Sequence, residues 1–319
     1  MASAAGFSEA AAGSVAIVAT EAATNIVKHA RQGSVIVQRV AGPNLCKAIE
    51  IFAVDHGPGM DPIEACMRDG YSTAGSPGTG LGAMSRLSSG FDIYSHPGFG
   101  TAVMARICIR AAADGAPESG RARMAGGVSV PKPGQTECGD AWCHAAGSLL
   151  VSDGLGHGPE AARASADAVR MFGEFAANEA PAAVLERMHG ALRSSRGAAA
   201  AIARFDAASG SIAYAGLGNI SGSIVSGASV RHMVSHNGTL GHQARKFQDF
   251  NYPVADEALV ILSSDGLLSR WDMDRFPGLS RRDASLIAAV ICTEFSRGTD
   301  DVTVAVMKVG RSPHTETTM

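Results

Sequence analysis

The sequence lacks a large net charge, a cysteine motif and a long hydrophobic run, and each absence excludes a class of protein. Lys and Arg total 27 against 30 Asp and Glu, a net charge of −3, so nothing indicates a surface for nucleic acid or an anionic membrane. The six cysteines form no CxxC pair and no paired spacing, which indicates reduced thiols. No apolar run approaches the roughly 18 residues of a membrane span, and the start lacks the basic-then-apolar layout of a signal peptide. We therefore predict a soluble, cytoplasmic protein that binds neither nucleic acid nor membrane.

The composition is that of a globular chain with material for about two domains. Of its 319 residues, 46% are hydrophobic and 18% are charged, and a domain usually holds roughly 150 residues. Residues 111–127, AAADGAPESGRARMAGG, have no hydrophobic period and are rich in Ala, Gly and small polar residues, which is typical of a linker. We therefore predict domains at 1–110 and 128–310, joined by this linker, and a disordered tail at 311–319.

Hydrophobic periodicity predicts an α/β domain before the linker and a strand-rich domain after it. Before the linker we expect a helix at 8–30, strands at 34–40, 47–55 and 100–110, and a short helix at 79–89. After it we expect strands at 147–152, 198–205, 211–215, 222–226, 258–264 and 302–309, and helices at about 159–177, 181–195 and 283–296. Many short strands with few helices favour stacked antiparallel sheets with helices packed outside, so the fold class is α+β.

A polar pair on the first helix is the first candidate for ligand binding. Glu21 and Asn25 are four residues apart and therefore share one helix face. A carboxylate and an amide so placed would present a base and a magnesium ligand to one bound molecule. In isolation, a polar pair on a solvated helix face is the commoner explanation.

Two glycine-rich stretches follow that pair along the chain. In VDHGPGM, residues 54–60, a strand would direct the Asp55 carboxylate towards an adenine amine while the glycines admit a ligand close to the backbone. In GSPGTGLGAMSRL, residues 75–87, glycines precede a helix whose free N–H groups favour phosphate. Each is an ordinary loop when taken alone, but all three features within about 65 residues indicate a nucleotide pocket.

Residues 6–110 resemble the GHKL, or Bergerat-type, ATP-binding domain of gyrase-like ATPases, histidine kinases and anti-sigma-factor kinases. The stretch GTGLGAMSRLSSGFDIYSHPGFGTAVMARI is most similar to RsbT-type serine/threonine switch kinases of stressosome pathways. The resemblance implies an α/β sandwich with one mixed sheet that binds ATP with Mg²⁺. It implies Glu21 as the base that activates the accepting hydroxyl or water, Asn25 as the magnesium ligand and Asp55 as the adenine reader. The nucleotide and its lid would be lined by Gly57, Gly59, Gly78, Thr79, Gly80 and Gly82.

One departure concerns the beginning of this domain. Members of the family usually have a strand and a helix before the segment that matches GFSEAAAGSVAIVATEAATN, and this chain begins almost at that segment. We therefore expect a domain without its first strand and helix, or a true start that lies upstream.

Acidic residues at strand ends are the main signal in the second part of the chain. They are Asp140 in ECGDAW, Asp153 in LVSDGLGHG, Asp265 in LSSDGLL, and Asp300 and Asp301 in GTDDVTVAV. An Asp-Gly pair alone is more often a turn. Four such segments at strand ends instead predict that the carboxylates meet, and an all-oxygen set suits Mg²⁺ or Mn²⁺. Two ions about 3.5–4 Å apart would activate a water for attack on phosphorus.

This order of motifs resembles the PPM-type serine/threonine phosphatases of the SpoIIE and RsbX branch, over residues 128–309 and including RGAAAAIARFD, GLGNIS and SDGLLSRWD. The resemblance implies an α-β-β-α sandwich of two antiparallel sheets flanked by helices. It implies Asp153 and Asp265 as direct ligands of two metal ions, with the Gly154 carbonyl, Asp140 through metal or water, and Asp300 rather than Asp301 as the last ligand. No arginine clearly matches the phosphate-binding one of larger members, and His157 is either a supporting group or a loop residue without a role.

The two resemblances together predict a bacterial partner-switching or stressosome regulator. The phosphatase would act on phosphoserine or phosphothreonine of an STAS-domain protein in an anti-sigma pathway, and the ATP-binding domain would phosphorylate the same class of protein. In one alternative, the ATP module is a non-catalytic sensor or partner-binding module. In another, both domains only sequester a partner.

Overall fold

The computed structural model describes residues 6–30, 32–42, 45–60, 62–67, 80–109, 123–254 and 257–310. The chain forms two compact units, Met1–Arg123 with Asp272–Thr293, and Met124–Trp271 with Glu294–Met319. The domain limits predicted from the sequence remain a prediction. The units differ from them in one respect, because residues 272–293 pack with the first unit although they lie far along the chain.

A long helix, α1 (Glu9–His29), begins the first unit. The Ser8 side chain accepts a hydrogen bond from the Ala11 N–H at 3.2 Å, which satisfies one of the free donors at the helix start. By length and composition alone, α1 is long and apolar enough to cross a membrane, with a mean hydropathy of 1.4. The expectation that no apolar run approaches this length is therefore wrong for α1. In the structure, Val18 and Ala22 of this helix are buried in the hydrophobic core of the first unit.

The first unit is built on a four-stranded sheet with the order β1-β2-β4-β3. Its strands are β1 (Gly33–Gly42), β2 (Leu45–Asp55), β3 (Gly90–His96) and β4 (Gly100–Cys108), and the helices α2 (Ile63–Cys66) and α3 (Gly80–Leu87) lie between β2 and β3 in the chain. Strand β3 was not predicted. All described pairings are antiparallel, so the expectation of a mixed sheet is wrong for the described strands. Strands β3 and β4 are antiparallel because a short turn joins them, and a turn of this length cannot join parallel strands.

The second unit contains two five-stranded antiparallel sheets and a two-stranded one. The first sheet, in the order β14-β9-β8-β7-β6, contains β6 (Asp140–Ala145), β7 (Ser148–Gly154), β8 (Ala198–Asp206), β9 (Ser211–Leu217) and β14 (Phe250–Pro253). The second, in the order β11-β10-β15-β16-β5, contains β5 (Ala125–Val130), β10 (Ser221–Ser226), β11 (Ser229–Met233), β15 (Glu257–Ser263) and β16 (Val302–Gly310). The short pair is β12 (Gly238–Thr239) with β13 (Gln243–Ala244). Three helices complete the chain, α4 (Pro159–Phe175), α5 (Pro181–Ala191) and α6 (Ala284–Phe295).

Strand β7 illustrates how the core of the second unit is layered. Leu149 and Val151 point into a core shared by both sheets, whereas Leu150 points into a core made with α4 and α5. This alternation is the period of two that a strand buried on both faces imposes. The predicted packing of stacked antiparallel sheets against helices is confirmed.

The predicted linker is wrong at its C-terminal end. Residues 125–127 begin β5, which pairs with β16. A Cβ atom at Gly127 would lie 2.8 Å from the indole ring of Trp142, so the small residue is required by packing against an aromatic ring. The glycines therefore reflect a close contact rather than a flexible connection. The predicted linker residues 111–122 and the tail at 311–319 lie outside the described residues.

Candidate functional site

The acidic residues of the second unit converge on one cavity. Asp140 begins β6 and is the direct cross-strand partner of Asp153 on β7, while Asp265 follows β15 and Asp300 precedes β16. All four carboxylates line a cavity of about 530 Å³, together with Asp301. The structure therefore brings together the residues that the sequence placed at four separate strand ends.

The electrostatics of this cavity favour a bound cation. Burial, together with the charges of Asp301, Asp265 and Asp300, raises the pKa of Asp140 to about 7. Burial and the charges of Asp140, Asp265 and Asp300 raise the pKa of Asp153 to about 8. Carboxylates that repel one another in a partly dry site lower their energy when a divalent ion lies between them.

Neutral donors fix the orientation of two of these carboxylates. The Ser264 hydroxyl donates to Asp140 Oδ2 at 2.6 Å, and the Asn219 amide donates to Asp265 Oδ2 at 2.7 Å. Within the part of the chain that the structure describes, no group of three His, Cys, Asp or Glu side chains is gathered as a formed metal site. The donor set nevertheless consists of carboxylate oxygens, which suit Mg²⁺ and Mn²⁺, so the chemistry of the residues present fits such an ion.

The neighbouring acids Asp300 and Asp301 have different surroundings. Asp301 is 4% exposed, and its carboxylate accepts hydrogen bonds from the backbone N–H groups of Lys132 at 2.7 Å and Gly139 at 3.0 Å. Asp300 is exposed and lines the cavity, and the hydrogen bond described for its carboxylate is a local one from the Asp301 N–H at 3.0 Å. Asp301 thus anchors the loop that leads to Asp140, while Asp300 as the last metal ligand stays a prediction.

Gly154 lies in close contact with helix α4. A Cβ atom at this position would be 2.2 Å from the carbonyl oxygen of Ala161, a distance that no side chain tolerates. Its N–H donates to the carbonyl of Gly139 at 3.2 Å. The glycine is therefore required by close packing, and its carbonyl as a metal ligand stays a prediction.

Sequence reasoning missed several polar residues of the cavity. Lys132 and Asn237 line it, as does Asn219, and so does His157, whose role the sequence left open. Asn219 lies in the GLGNIS motif, and its position just after a strand was the available signal. Lys132 lies eight residues before Asp140 in a proline-containing loop, where nothing in the sequence marks it.

Three of the predicted nucleotide residues of the first unit, Glu21, Asn25 and Gly80, lie close to one another. A Cβ atom at Gly80, the first residue of α3, would be 2.8 Å from Glu21 Oε2 and 3.7 Å from Asn25 Oδ1. The start of α3 therefore lies against the polar pair on α1. Gly82 is buried within α3, whereas Gly78 and Thr79 lie outside the described residues.

Asp55 lies at the end of β2, beside the C-terminal end of α1. Its Oδ1 accepts a hydrogen bond from the Gly57 N–H at 2.7 Å, and a Cβ atom at Gly57 would be 3.0 Å from the His29 carbonyl oxygen. Burial raises the pKa of Asp55, opposed by hydrogen bonds from the backbone at Gly57 and Thr101. Gly59 has a φ of +82°, a left-handed conformation that favours glycine.

Comparisons with known proteins match both parts of the chain. The family described as Stage II sporulation protein E (SpoIIE) matches residues 146–310, and the family described as histidine kinase-like ATPase domain matches residues 1–107. The serine/threonine-protein kinase RsbT of Bacillus subtilis (strain 168) is 37% identical over 91 residues, which are 28% of this chain and 68% of RsbT.

Solved structures resemble the phosphatase part of the chain. One, from a bacterial stressosome described as a modular system adapted to control secondary messenger signaling, is 29% identical with a TM-score of 0.52, and the match covers 57% of this chain and 97% of that one. RsbX in complex with magnesium is 21% identical with a TM-score of 0.47, over 57% of this chain and 92% of that one. The chain belongs to the SpoIIE family of PPM-type serine/threonine phosphatases, preceded by a histidine kinase-like ATPase domain homologous to RsbT.

Proposed function

We propose that the cavity of the second unit hydrolyses phosphoserine or phosphothreonine on an STAS-domain protein of a cytoplasmic partner-switching pathway, with two Mg²⁺ or Mn²⁺ ions. The observation that carries the proposal is the convergence of four carboxylates on one cavity, where burial and the charges of their neighbours raise the pKa of Asp140 and of Asp153. The relatives of stressosome and RsbT type support the choice of pathway. The metal ligands would be Asp153, Asp265, the Gly154 carbonyl, Asp140 directly or through water, and Asp300.

Some side chains of the cavity would serve metal binding and others would bind the substrate. Bound ions would supply a water of lowered pKa beside the phosphorus atom. Ser264 and Asn219 orient the carboxylates of Asp140 and Asp265, and the Asp301 carboxylate fixes the backbone of Lys132. Lys132 is the sole Lys or Arg side chain among the described lining residues. It is therefore suited to bind the phosphate dianion of the substrate, in place of the arginine that the sequence lacks.

Hydrolysis of a phosphorylated STAS protein with Mn²⁺ tests this function. Asp265→Asn keeps the shape of the side chain and removes a charge that would bind metal, so we expect the rate to fall roughly 100-fold or more, since even supporting residues of metal sites cost 10–100-fold. Asp167→Asn, at a half-buried position on α4 that does not line the cavity, is the matched control and should retain the wild-type rate. Equal rates for wild type and Asp265→Asn would exclude the proposed site.

We further propose that the first unit binds ATP with Mg²⁺ and phosphorylates the same class of STAS protein. Glu21 would act as the base, Asn25 as the magnesium ligand and Asp55 as the adenine reader, with the glycines at 57, 59, 78, 80 and 82 and Thr79 around the nucleotide. The proximity of Gly80 to Glu21 and Asn25 supports this arrangement, because it places a helix start beside a carboxylate and an amide.

Transfer of labelled phosphate from ATP to candidate STAS proteins tests the kinase. Glu21→Gln should abolish transfer and retain ATP binding, because the change removes a base and leaves the adenine contacts in place. Glu9→Gln at the exposed start of the same helix is the control. A wild-type protein that binds ATP without transferring phosphate would instead favour the ATP domain as a sensor of the phosphatase.

A further inference from the structure

Residues 272–293 belong to the first unit by packing and to the SpoIIE match by sequence. We name Asp272–Thr293 the inserted segment. It lies in the chain between Asp265 and Asp300 and contains most of α6. A stretch of the phosphatase match is thus part of the ATP-binding unit, and its two ends lead to two of the proposed metal ligands.

The inserted segment covers the face of the sheet that α1 does not. Cross-strand partners Glu50 on β2 and Arg106 on β4 both lie on this face, and alternate residues such as Ile49 point to the α1 side. The ring of Phe276, from the inserted segment, packs edge-on against Phe99 with the centroids 5.3 Å apart. Residues on both faces of β2 and β4 are therefore buried.

A buried network of charged side chains joins the segment to the sheet. The Arg106 guanidinium donates to Glu50 Oε1 at 2.6 Å and to both carboxylate oxygens of Asp283 at 3.1 and 3.3 Å. It also donates to the Ser285 hydroxyl at 3.3 Å. Glu50 is 0% exposed, Asp283 2% and Arg106 4%, so these groups have little access to water and depend on one another for their hydrogen bonds.

Two further contacts fix the backbone at the start of α6. The Asp283 N–H donates to Asp92 Oδ2 at 2.7 Å, and Asp283 Oδ2 accepts the Arg123 N–H at 2.8 Å. The guanidinium of Arg123 lies 3.9 Å from Glu50 Oε1. Asp283 therefore forms hydrogen bonds with Asp92 on β3, with Arg106 on β4 and with Arg123. These three bonds fix the position of the inserted segment on the sheet.

Short paired stretches connect the segment to the acidic residues. The Leu268 N–H donates to the Phe295 carbonyl at 2.8 Å, and the Arg297 N–H donates to the Gly266 carbonyl at 2.9 Å. A Cβ atom at Gly266 would lie 2.0 Å from the Asp301 carbonyl oxygen. The two chain segments that leave the inserted segment are thus hydrogen-bonded to each other close in the chain to Asp265 and Asp300.

We propose that Arg106 of the ATP-binding unit is a positioning residue for the phosphatase reaction, because its bonds to Asp283 fix the segment whose ends lead to Asp265 and Asp300. The inference rests on the proposed function of these two acids as metal ligands. It assigns a phosphatase role to a residue that lies outside the SpoIIE match and lines no part of the carboxylate cavity.

The test compares Arg106→Lys and Ser285→Ala with wild type in the full chain. Arg106→Lys keeps the charge and loses the forked geometry that bonds Glu50 and Asp283 together, whereas Ser285→Ala removes one hydroxyl and is the milder change. We measure the Mn²⁺ affinity by calorimetry without substrate, and the Mn²⁺ dependence of p-nitrophenyl phosphate hydrolysis. Arg187→Lys, at an exposed pair with Glu179, is the control.

We expect Arg106→Lys to weaken Mn²⁺ binding at least tenfold and Ser285→Ala about threefold, while Arg187→Lys stays within twofold of wild type. ATP binding and far-ultraviolet circular dichroism identify the variants that remain folded. A folded Arg106→Lys or Ser285→Ala protein with Mn²⁺ affinity and kcat/KM equal to wild type overturns the positioning role. A wild-type protein that binds no Mn²⁺ and hydrolyses no phosphoester overturns the proposed function itself.

Discussion

Replacing Asp153 with asparagine should remove much of the pH dependence of stability in the metal-free protein. Burial, followed by the charges of Asp140, Asp265 and Asp300, raises the pKa of Asp153 from 3.8 to about 8 in the folded chain. Between these pH values the folded state keeps a proton that the unfolded state has released. The stabilisation from this proton is therefore complete below about pH 4 and is lost as the pH rises through 8.

The size of the effect follows from the shift. Each pKa unit corresponds to about 1.4 kcal/mol, and roughly three of the units lie between pH 5 and pH 8, so wild type should lose about 4 kcal/mol over this range. Asparagine resembles the protonated carboxyl, so Asp153→Asn should lose much less.

Urea unfolding at pH 5 and pH 8.5 with EDTA measures this difference. The wild-type free energy of unfolding should fall more steeply than that of Asp153→Asn, and saturating Mn²⁺ should restore it at pH 8.5 in wild type alone. Asp167→Asn, at a half-buried acid of the same unit outside the cavity, should follow wild type. Parallel pH profiles for wild type and Asp153→Asn would refute the argument that repulsion in the cavity destabilises the metal-free fold.

Two further substitutions test the packing around each site. Arg106→Met leaves Glu50 and Asp283 buried without the arginine that bonds them, and should lower the free energy of unfolding by about 3–5 kcal/mol. Arg187→Met, at an exposed pair, is the control and should not change the urea midpoint. Equal urea midpoints for Arg106→Met and wild type would contradict the stabilising role of the network. Gly154→Ala places a Cβ atom 2.2 Å from the Ala161 carbonyl oxygen and should abolish Mn²⁺-dependent hydrolysis, while Gly190→Ala, which has open space around it, should retain the activity in the same assay.

Many helices and strands could be predicted from the sequence because their hydrophobic patterns lie within short stretches of the chain. The apolar face of α1 and the alternation along β7 give their periods directly in the sequence, and the predicted α4, α5 and α6 lie within a few residues of the observed helices. Strand β3 was missed because GFDIYSH is short and contains polar residues that face Arg282 and the inserted segment. Strand β5 was missed because its glycines resemble a linker, and only the ring of Trp142 explains them.

The sequence by itself determined which acids lie at strand ends, which glycines adjoin them and which two families the motifs resemble. The tertiary structure decided that backbone N–H groups donate to the Asp301 carboxylate while Asp300 is exposed, and that Lys132 lines the cavity. It also decided that residues 272–293 pack with the ATP-binding unit. The physical reason is distance along the chain: Arg106 and Asp283 are 177 residues apart, and a pair of buried opposite charges leaves no periodic pattern in either segment.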